Sequence, residues 1–368
     1  MRKNILKNME WKVLICAVVL CTIGLFALYS ASYSADLDEF KKQITWLTIS
    51  VVVMVVIVNI DYEIFIKISP ILYGVSIVLL IAVLFTKRIN GATAWFSFGA
   101  FSFQPSEFGK IATIFFLSLV IGKIQKKGKR EIDKPLKLIL AILVVAVPML
   151  LLMREPDYGM CAVYLVAMLC ILFVAGIDKG YVITAILIVS VMIPVSYNFL
   201  LPKYAKTRID VFLNPDLDPK GSGYNIIQSK LAIGAGELTG MGLKNGNQTQ
   251  LGYLYPKTTD FIFSVIGEEM GFIFAAIIII ANVILITKSI YIAKTAKDNE
   301  GAYIAAGITG IFLFHLLENV GMTMGIMPIT GVPLLFVSYG GSSLISSFIC
   351  IGLLLNISGR RQKTIFAR

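Results

Sequence analysis

Carboxylates and a lysine stand where an apolar chain has least use for them. Glu107 and Lys110 lie three apart in QPSEFGKIATIFF, Glu155 and Asp157 flank a proline in REPDYG, and Asp260 opens DFIFSVIGEEMGF, which carries Glu268 and Glu269. Glu318 lies in a later apolar stretch. An ionisable side chain at membrane depth is costly and marks a functional site by default. A partly buried carboxylate, its pKa lifted above the reference of about 3.9, suits a general base. Glu107 and Lys110 share one helical face and can pair locally, which would let both enter a membrane whether or not they line a cavity. Asp260 also fits a cap at a helix start, although Thr258 and Thr259 already offer capping hydroxyls. REPDYG fits a tight turn between spans.

The elements that must position these groups are membrane helices. Apolar residues make up 57% of the 368, and mean hydropathy is +0.82, far outside the soluble globular range. About 20 apolar residues cross a bilayer core, and windows of that length predict an all-α polytopic membrane protein with about ten spans. They fall at 12–31, 42–60, 65–86, 106–123, 135–153, 158–176, 180–201, 260–287, 301–325 and 333–357. The net charge of +11 is a topology signal. KIQKKGKREIDK anchors the positive-inside bias, both termini come out cytoplasmic, and anionic lipid is a secondary attraction. A nucleic-acid partner is excluded by that placement. Cys16, Cys21, Cys161, Cys170 and Cys350 all fall in spans and form no disulfide framework or metal spacing. His315, the single histidine, reads as a helix-packing residue rather than a zinc ligand. The first span reads as a retained helix, not a cleaved signal.

The chain is read as a single domain, 1–368, with one large extracytoplasmic loop, 202–259, between spans 7 and 8. Within it NIIQSKLAIGAGELTGMGL predicts an interfacial helix and a glycine turn lying on the bilayer. The loop RINGATAWFSFGAFSFQPSE supplies aromatic anchors such as Trp95. These features describe an acid-lined cavity opening outward. An enzyme acting on a lipid and a lipid transporter both fit, and a scaffold leaves the acids without purpose. Against a transporter, no paired interrupted segments recur in two halves.

The motifs FSFQPSEFGK, EPDYG, FLNPDLDPKGSGYNIIQSKLAIGAGELTGMGL, NGNQTQLGYLYPKTTDFIFSVIGEEMGF and ENVGMTMGIMPITGVPLLFVSYGGSS occur in this order over nearly the whole chain. Together they resemble the SEDS family of bacterial shape, elongation, division and sporulation proteins, with NGNQTQLGYLYP favouring its RodA branch. The resemblance implies a ten-helix membrane glycosyltransferase that polymerises lipid II into peptidoglycan strands beside a class B penicillin-binding protein. It implies Asp260 of TDFIF as the essential acid and Glu107 with Lys110 as the family's paired residues. Asp157, Gln250 and Ser338 stand in its motifs and are expected in the substrate cavity. Leaving-group charge would be met by Lys110, Arg208, Lys230 or Lys244, or by a divalent cation such as Mg or Mn; no cofactor is otherwise demanded. The chain departs from the family pattern in Glu155 and His315, where Gln is usual, in Thr258, where His is frequent, and in ATAW, where basic residues are usual.

Overall fold

The computed structural model describes residues 6–33, 36–87, 92–98, 101–184, 187, 190, 196–200, 203–214, 217–218 and 221–361. In chain order they form α1 (Trp11–Ala31), α2 (Asp38–Asn59), α3 (Tyr62–Val83), a hairpin β1 (Phe96–Phe98) and β2 (Phe101–Phe103), α4 (Pro105–Gln125), α5 (Pro135–Arg154) and α6 (Tyr158–Ala175). After these come α7 (Lys203–Leu213), α8 (Ser222–Ala235), α9 (Asn247–Gln250), α10 (Ile262–Thr295), α11 (Asn299–Thr323) and α12 (Gly341–Arg360). Among the described residues, 8 helices are long and apolar enough to cross a membrane. The helix α4 has spanning length at 21 residues, its apolar run diluted by Glu107, Lys110 and Lys123. The protein is therefore an all-α, multi-pass membrane protein. Residues 185–186, 188–189, 191–195 and 201 of the expected span 180–201, and Pro202 at the start of the expected outer loop, lie outside the described residues.

Local chemistry sets the helix starts. Pro105 and Pro135 occupy first-turn positions of α4 and α5, where the missing N–H is no loss. Asp61, Asp157 and Asp298 cap α3, α6 and α11 by accepting from the N–H groups of Glu63 (3.1 Å), Met160 (3.0 Å) and Gly301 (2.7 Å). These caps satisfy donors that have no partner inside the helix.

The helix α11 forms the centre, packed on α4, α6, α10 and α12. Its residues are mostly buried, whereas α2, α3 and α5 turn Val52, Ile71 and Leu150 outward, as lipid-facing helices do. At one end of the bundle Lys288 pairs with Glu10 (3.2 Å), Lys297 with Glu63 (3.0 Å) and Arg360 with Asp61 (2.8 Å). These pairs gather the starts of α1 and α3 and the ends of α10 and α12 on one face. That clustering matches the alternation expected of the spans.

The structure differs from three sequence expectations. The span expected at 333–357 begins as a helix only at Gly341, because Pro328, Gly331 and Pro333 interrupt helix formation and leave 324–340 as turns and extended chain. The span expected at 260–287 starts at Ile262 and is broken at Gly271 (φ 76°, ψ −176°). The outer loop is spliced into this break. The Glu268 and Glu269 carbonyls accept from the N–H groups of Met241 and Gly242 (2.9 Å each), while Phe272 and Ile273 donate to the carbonyls of Glu237 (2.9 Å) and Leu238 (3.2 Å). Only glycine fits at 240, since a Cβ there would lie 2.3 Å from the Glu269 carbonyl oxygen. The helix expected to lie on the bilayer, α8, is likewise docked into the bundle: the Ser229 hydroxyl pairs with that of Ser264 (2.6 Å) and donates to the Thr323 carbonyl (2.7 Å).

Candidate active site

Asp260 stands in the turn before α10, not inside the helix, and does not cap it; the residue at the cap position is Phe261. The backbone around it is held from outside. The Thr258 carbonyl accepts from the Tyr339 N–H (2.9 Å), the Thr259 carbonyl from the Ser338 hydroxyl (2.8 Å), and the Asp260 carbonyl from Asn319 Nδ2 (3.0 Å). The carboxylate itself is half-buried and bonds to Thr259, with the positive field of Arg208 upon it. Its Oδ2 faces Gly331, where a Cβ would come to 3.6 Å. Burial pushes the Asp260 carboxyl above its ordinary value, and the Thr259 bond and Arg208 act in the opposite direction. A carboxylate with a fixed backbone and a raised pKa has the properties of a general base.

Segment 324–340, which supplies two of these bonds, is itself held by one face of α11. His315 Nδ1 donates to the Pro333 carbonyl (2.9 Å), which leaves Nε2 as the acceptor facing Lys110 Nζ at 3.4 Å. Glu318 accepts from the Thr330 hydroxyl (2.5 Å). Asn319 Nδ2 reaches both the Asp260 and the Val332 carbonyls (3.0 Å each). Spacing of i, i+3 and i+4 puts all of them on one side, and segment 324–340 lies along it.

Glu107 and Lys110 form the expected pair, Nζ to Oε2 at 2.6 Å, with both side chains buried. Glu107 Oε2 also accepts from the Ser346 hydroxyl of α12 (2.6 Å). Just above, the Asp157 carboxylate caps α6 and accepts from Gln104 Nε2 (3.2 Å), tying the starts of α4 and α6 together. Burial, the largest influence, lifts the Asp157 carboxyl to about 6. Glu155 is fully buried, neither of its carboxylate oxygens has a hydrogen-bond partner, and burial followed by the Asp157 charge lifts it to about 8.

The remaining expected cavity residues divide. Arg208 faces Asp260 and donates to the Ile329 carbonyl (3.1 Å). Lys230 is exposed on α8 and lies over Gly325. Lys244 is held elsewhere: its Nζ donates to the Tyr29 hydroxyl (3.0 Å) and sits over the Tyr29 and Tyr33 rings at 4.4 and 3.9 Å. Gln250 bridges Glu269 (2.7 Å) and the Ser30 hydroxyl (3.2 Å). The Ser338 hydroxyl donates to Thr259 and accepts from the Leu334 N–H (2.9 Å), a backbone tie. Glu268 is fully buried and accepts from the N–H groups of Gln248 (2.7 Å) and Thr249 (3.0 Å). Sequence reading passed over Asn319, Gln104 and Ser346. The signal available for Asn319 was its place in ENVGM, one residue after Glu318 in a span. Among the described residues no group of three or more His, Cys, Asp or Glu side chains is arranged to hold a metal.

Comparison with known proteins agrees with this architecture. The FtsW/RodA/SpoVE family model, described as a cell cycle protein, matches residues 10–363. Peptidoglycan glycosyltransferase MrdB of Escherichia coli K12 is 34% identical over 358 residues, covering 96% of this chain and 95% of its own. Stage V sporulation protein E of Bacillus subtilis is 37% identical, covering 94% and 95%. A solved chain from work on structural coordination of polymerization and crosslinking by a peptidoglycan synthase complex superposes with a TM-score of 0.82 at 25% identity, covering 95% of this chain and 97% of that one. With residues 10–363 matched by the family model and 94–96% of the chain covered by these relatives, the chain belongs to the FtsW/RodA/SpoVE family and is a multi-pass bacterial membrane enzyme of the peptidoglycan glycosyltransferase class.

Proposed function

We propose that this protein polymerises lipid II into β-1,4 glycan strands at the outer leaflet, with Asp260 as general base. The observation that carries the reading is the Asp260 carboxylate, fixed on a braced turn at the mouth of the bundle with its pKa raised by burial and Arg208 beside it. In the step envisaged, Asp260 takes the proton of the acceptor 4-hydroxyl and that oxygen attacks the donor C1. The C1–O bond to pyrophosphate breaks on the opposite face, so configuration inverts. Undecaprenyl pyrophosphate departs with the bonding pair, and a positioned cation stabilises that charge best where water is excluded. In this reading Arg208, whose positive field falls on Asp260, takes that part. Lys230, exposed on the same outer loop, is a second contact for the departing phosphates. Lys110 is already committed to Glu107, and its role is to keep the cavity wall intact.

The role inferred is cell-wall elongation beside a class B penicillin-binding protein that crosslinks the product. The 37% identity to the sporulation protein supports a second reading, a sporulation or division paralogue with the same chemistry. The test is polymer formation from lipid II by purified protein, with and without a class B penicillin-binding protein. Asp260→Asn keeps the shape and removes the base. It should insert and fold normally and form no polymer; substantial polymer from a folded variant would remove Asp260 from the mechanism.

A further inference from the structure

The turn between α5 and α6 holds a group that the proposed chemistry does not use. Glu155 is fully buried, and among the described residues neither carboxylate oxygen has a donor within hydrogen-bond distance. Among the described residues, the ionisable groups around it come from three places. Asp157 is in the same turn, Cys161 and Tyr164 are on α6, and Glu107 and Lys110 on α4 act on Asp157. None of them donates to Glu155, and Arg154, the adjacent cation, is exposed. An ionised carboxylate in such a place is an uncompensated buried charge beside a like charge, the costliest of the available states. A protonated one is a neutral polar group.

Asp157 is engaged where Glu155 is not. Its Oδ1 caps α6 and its Oδ2 holds Gln104 (3.2 Å), the residue that precedes α4 and its Glu107–Lys110 pair. The Gln104 N–H is held in turn by the Ser342 hydroxyl of α12 (3.1 Å). Three helices thus meet at this strap, and its acceptor is an anion.

We propose that Glu155 is a positioning residue that works as an uncharged acid, so that Asp157 remains the single anion of the pair and holds the starts of α4 and α6 in register. Ionising Glu155 sets two carboxylates against each other. The proton released from Glu155 goes to solvent, Asp157 is displaced from Gln104 by the new like charge, and the strap above the Glu107–Lys110 pair loosens. The protein consequently carries an alkaline limit of its own, separate from the titration of the base, which sets the acid limit.

Two readouts test this on the full-length protein in nanodiscs, and the first needs no substrate. Infrared difference spectra of wild type against Glu155→Gln should show a protonated-carboxyl carbonyl band near neutral pH that belongs to residue 155 and disappears as pH rises through about 8. The second readout is lipid II polymerisation against pH, each protein normalised to its own rate at neutral pH. Wild type should lose roughly tenfold for each unit above its alkaline midpoint, whereas Glu155→Gln and the equally non-ionisable Glu155→Met should stay level there. Absence of the band at neutral pH, or coincident alkaline limbs, overturns the proposal. The second readout rests on the polymerase reading; if no polymer forms from wild type at any pH, that reading fails and the infrared titration still decides the state of Glu155.

Discussion

Breaking the Glu107–Lys110 pair should cost more than removing it. Nζ and Oε2 are 2.6 Å apart, and the side chains are 2% and 0% exposed. Beyond each other they have little support: Ser346 donates to Glu107, and the neutral acceptor nitrogen of His315 lies 3.4 Å from the ammonium. Glu107→Gln strands a buried ammonium, and Lys110→Met strands a buried carboxylate held by one hydroxyl. A half-broken buried pair typically loses about 3–5 kcal/mol. The double variant buries a neutral amide beside a thioether and should be no less stable than the worse single one. Its loss then falls roughly 3 kcal/mol short of the sum of the singles, well beyond the ~0.5 kcal/mol within which independent sites add. Reversible unfolding in mixed micelles, followed by circular dichroism, measures all four corners of the cycle, and polymerisation is assayed at matched folded fraction. Additive stability losses would refute the reasoning. Activity losses that multiply at unchanged stability would show instead that the two residues act separately on substrate.

Two further outcomes are expected. With a cysteine-free background, a cysteine at Asn214 should react with a membrane-impermeant thiol reagent on intact cells and one at Lys127 should not, both positions being exposed; the reverse pattern would put Asp260 on the cytoplasmic side and end the outer-leaflet reading. Arg208 lowers, and burial raises, the Asp260 carboxyl, and the base works only when ionised, so activity is lost as pH falls through a value above the ordinary carboxylate range. Arg208→Gln should move that acid limb to higher pH, and an unmoved limb in an active variant would show that Arg208 does not bear on the base.

What the sequence disclosed followed from short-range geometry. The Glu107–Lys110 pair was readable because i, i+3 on a helix fixes its own neighbour, and the break at REPDYG because proline and two acids cannot continue an apolar helix. Hydropathy predicted ten spans, and among the described residues eight helices are long and apolar enough to cross a membrane. The misplaced start of α12 shows the limit of that signal: PITGVPLLFV is apolar enough to pass for bilayer chain, yet His315 and Asn319 hold its carbonyls at Pro333 and Val332 in a non-helical path. Glu268 was read as one acid among several facing a cavity, and its bonds go to N–H groups 19 and 20 residues away. Partners at such separations leave no period in the sequence. Lys244, expected as a cation for a phosphate, sits over the rings of Tyr29 in α1 and of Tyr33 just beyond it, contacts across about 215 residues that no sequence spacing announces.

The geometry also explains why a pair that makes no contact with Asp260 can matter to it. Lys110 faces His315, and His315 holds Pro333. The preceding residue, Val332, shares Asn319 with the Asp260 carbonyl, and Gly331 faces the Asp260 carboxylate. The links through His315 and Asn319 are hydrogen bonds to backbone carbonyls, so side-chain disorder at one point becomes displacement of the segment at the next. A base must sit within hydrogen-bond reach of the proton it removes, and an ångström of misplacement can cost about a hundredfold in rate. The acid stands outside its helix because a residue inside α10 would move with that helix, whereas a residue on the turn before it is held by α11, by segment 324–340 and by the start of α10 together. Packed elements of this kind shift between discrete arrangements rather than deforming gradually, and the turn carrying Asp260 is where their constraints converge.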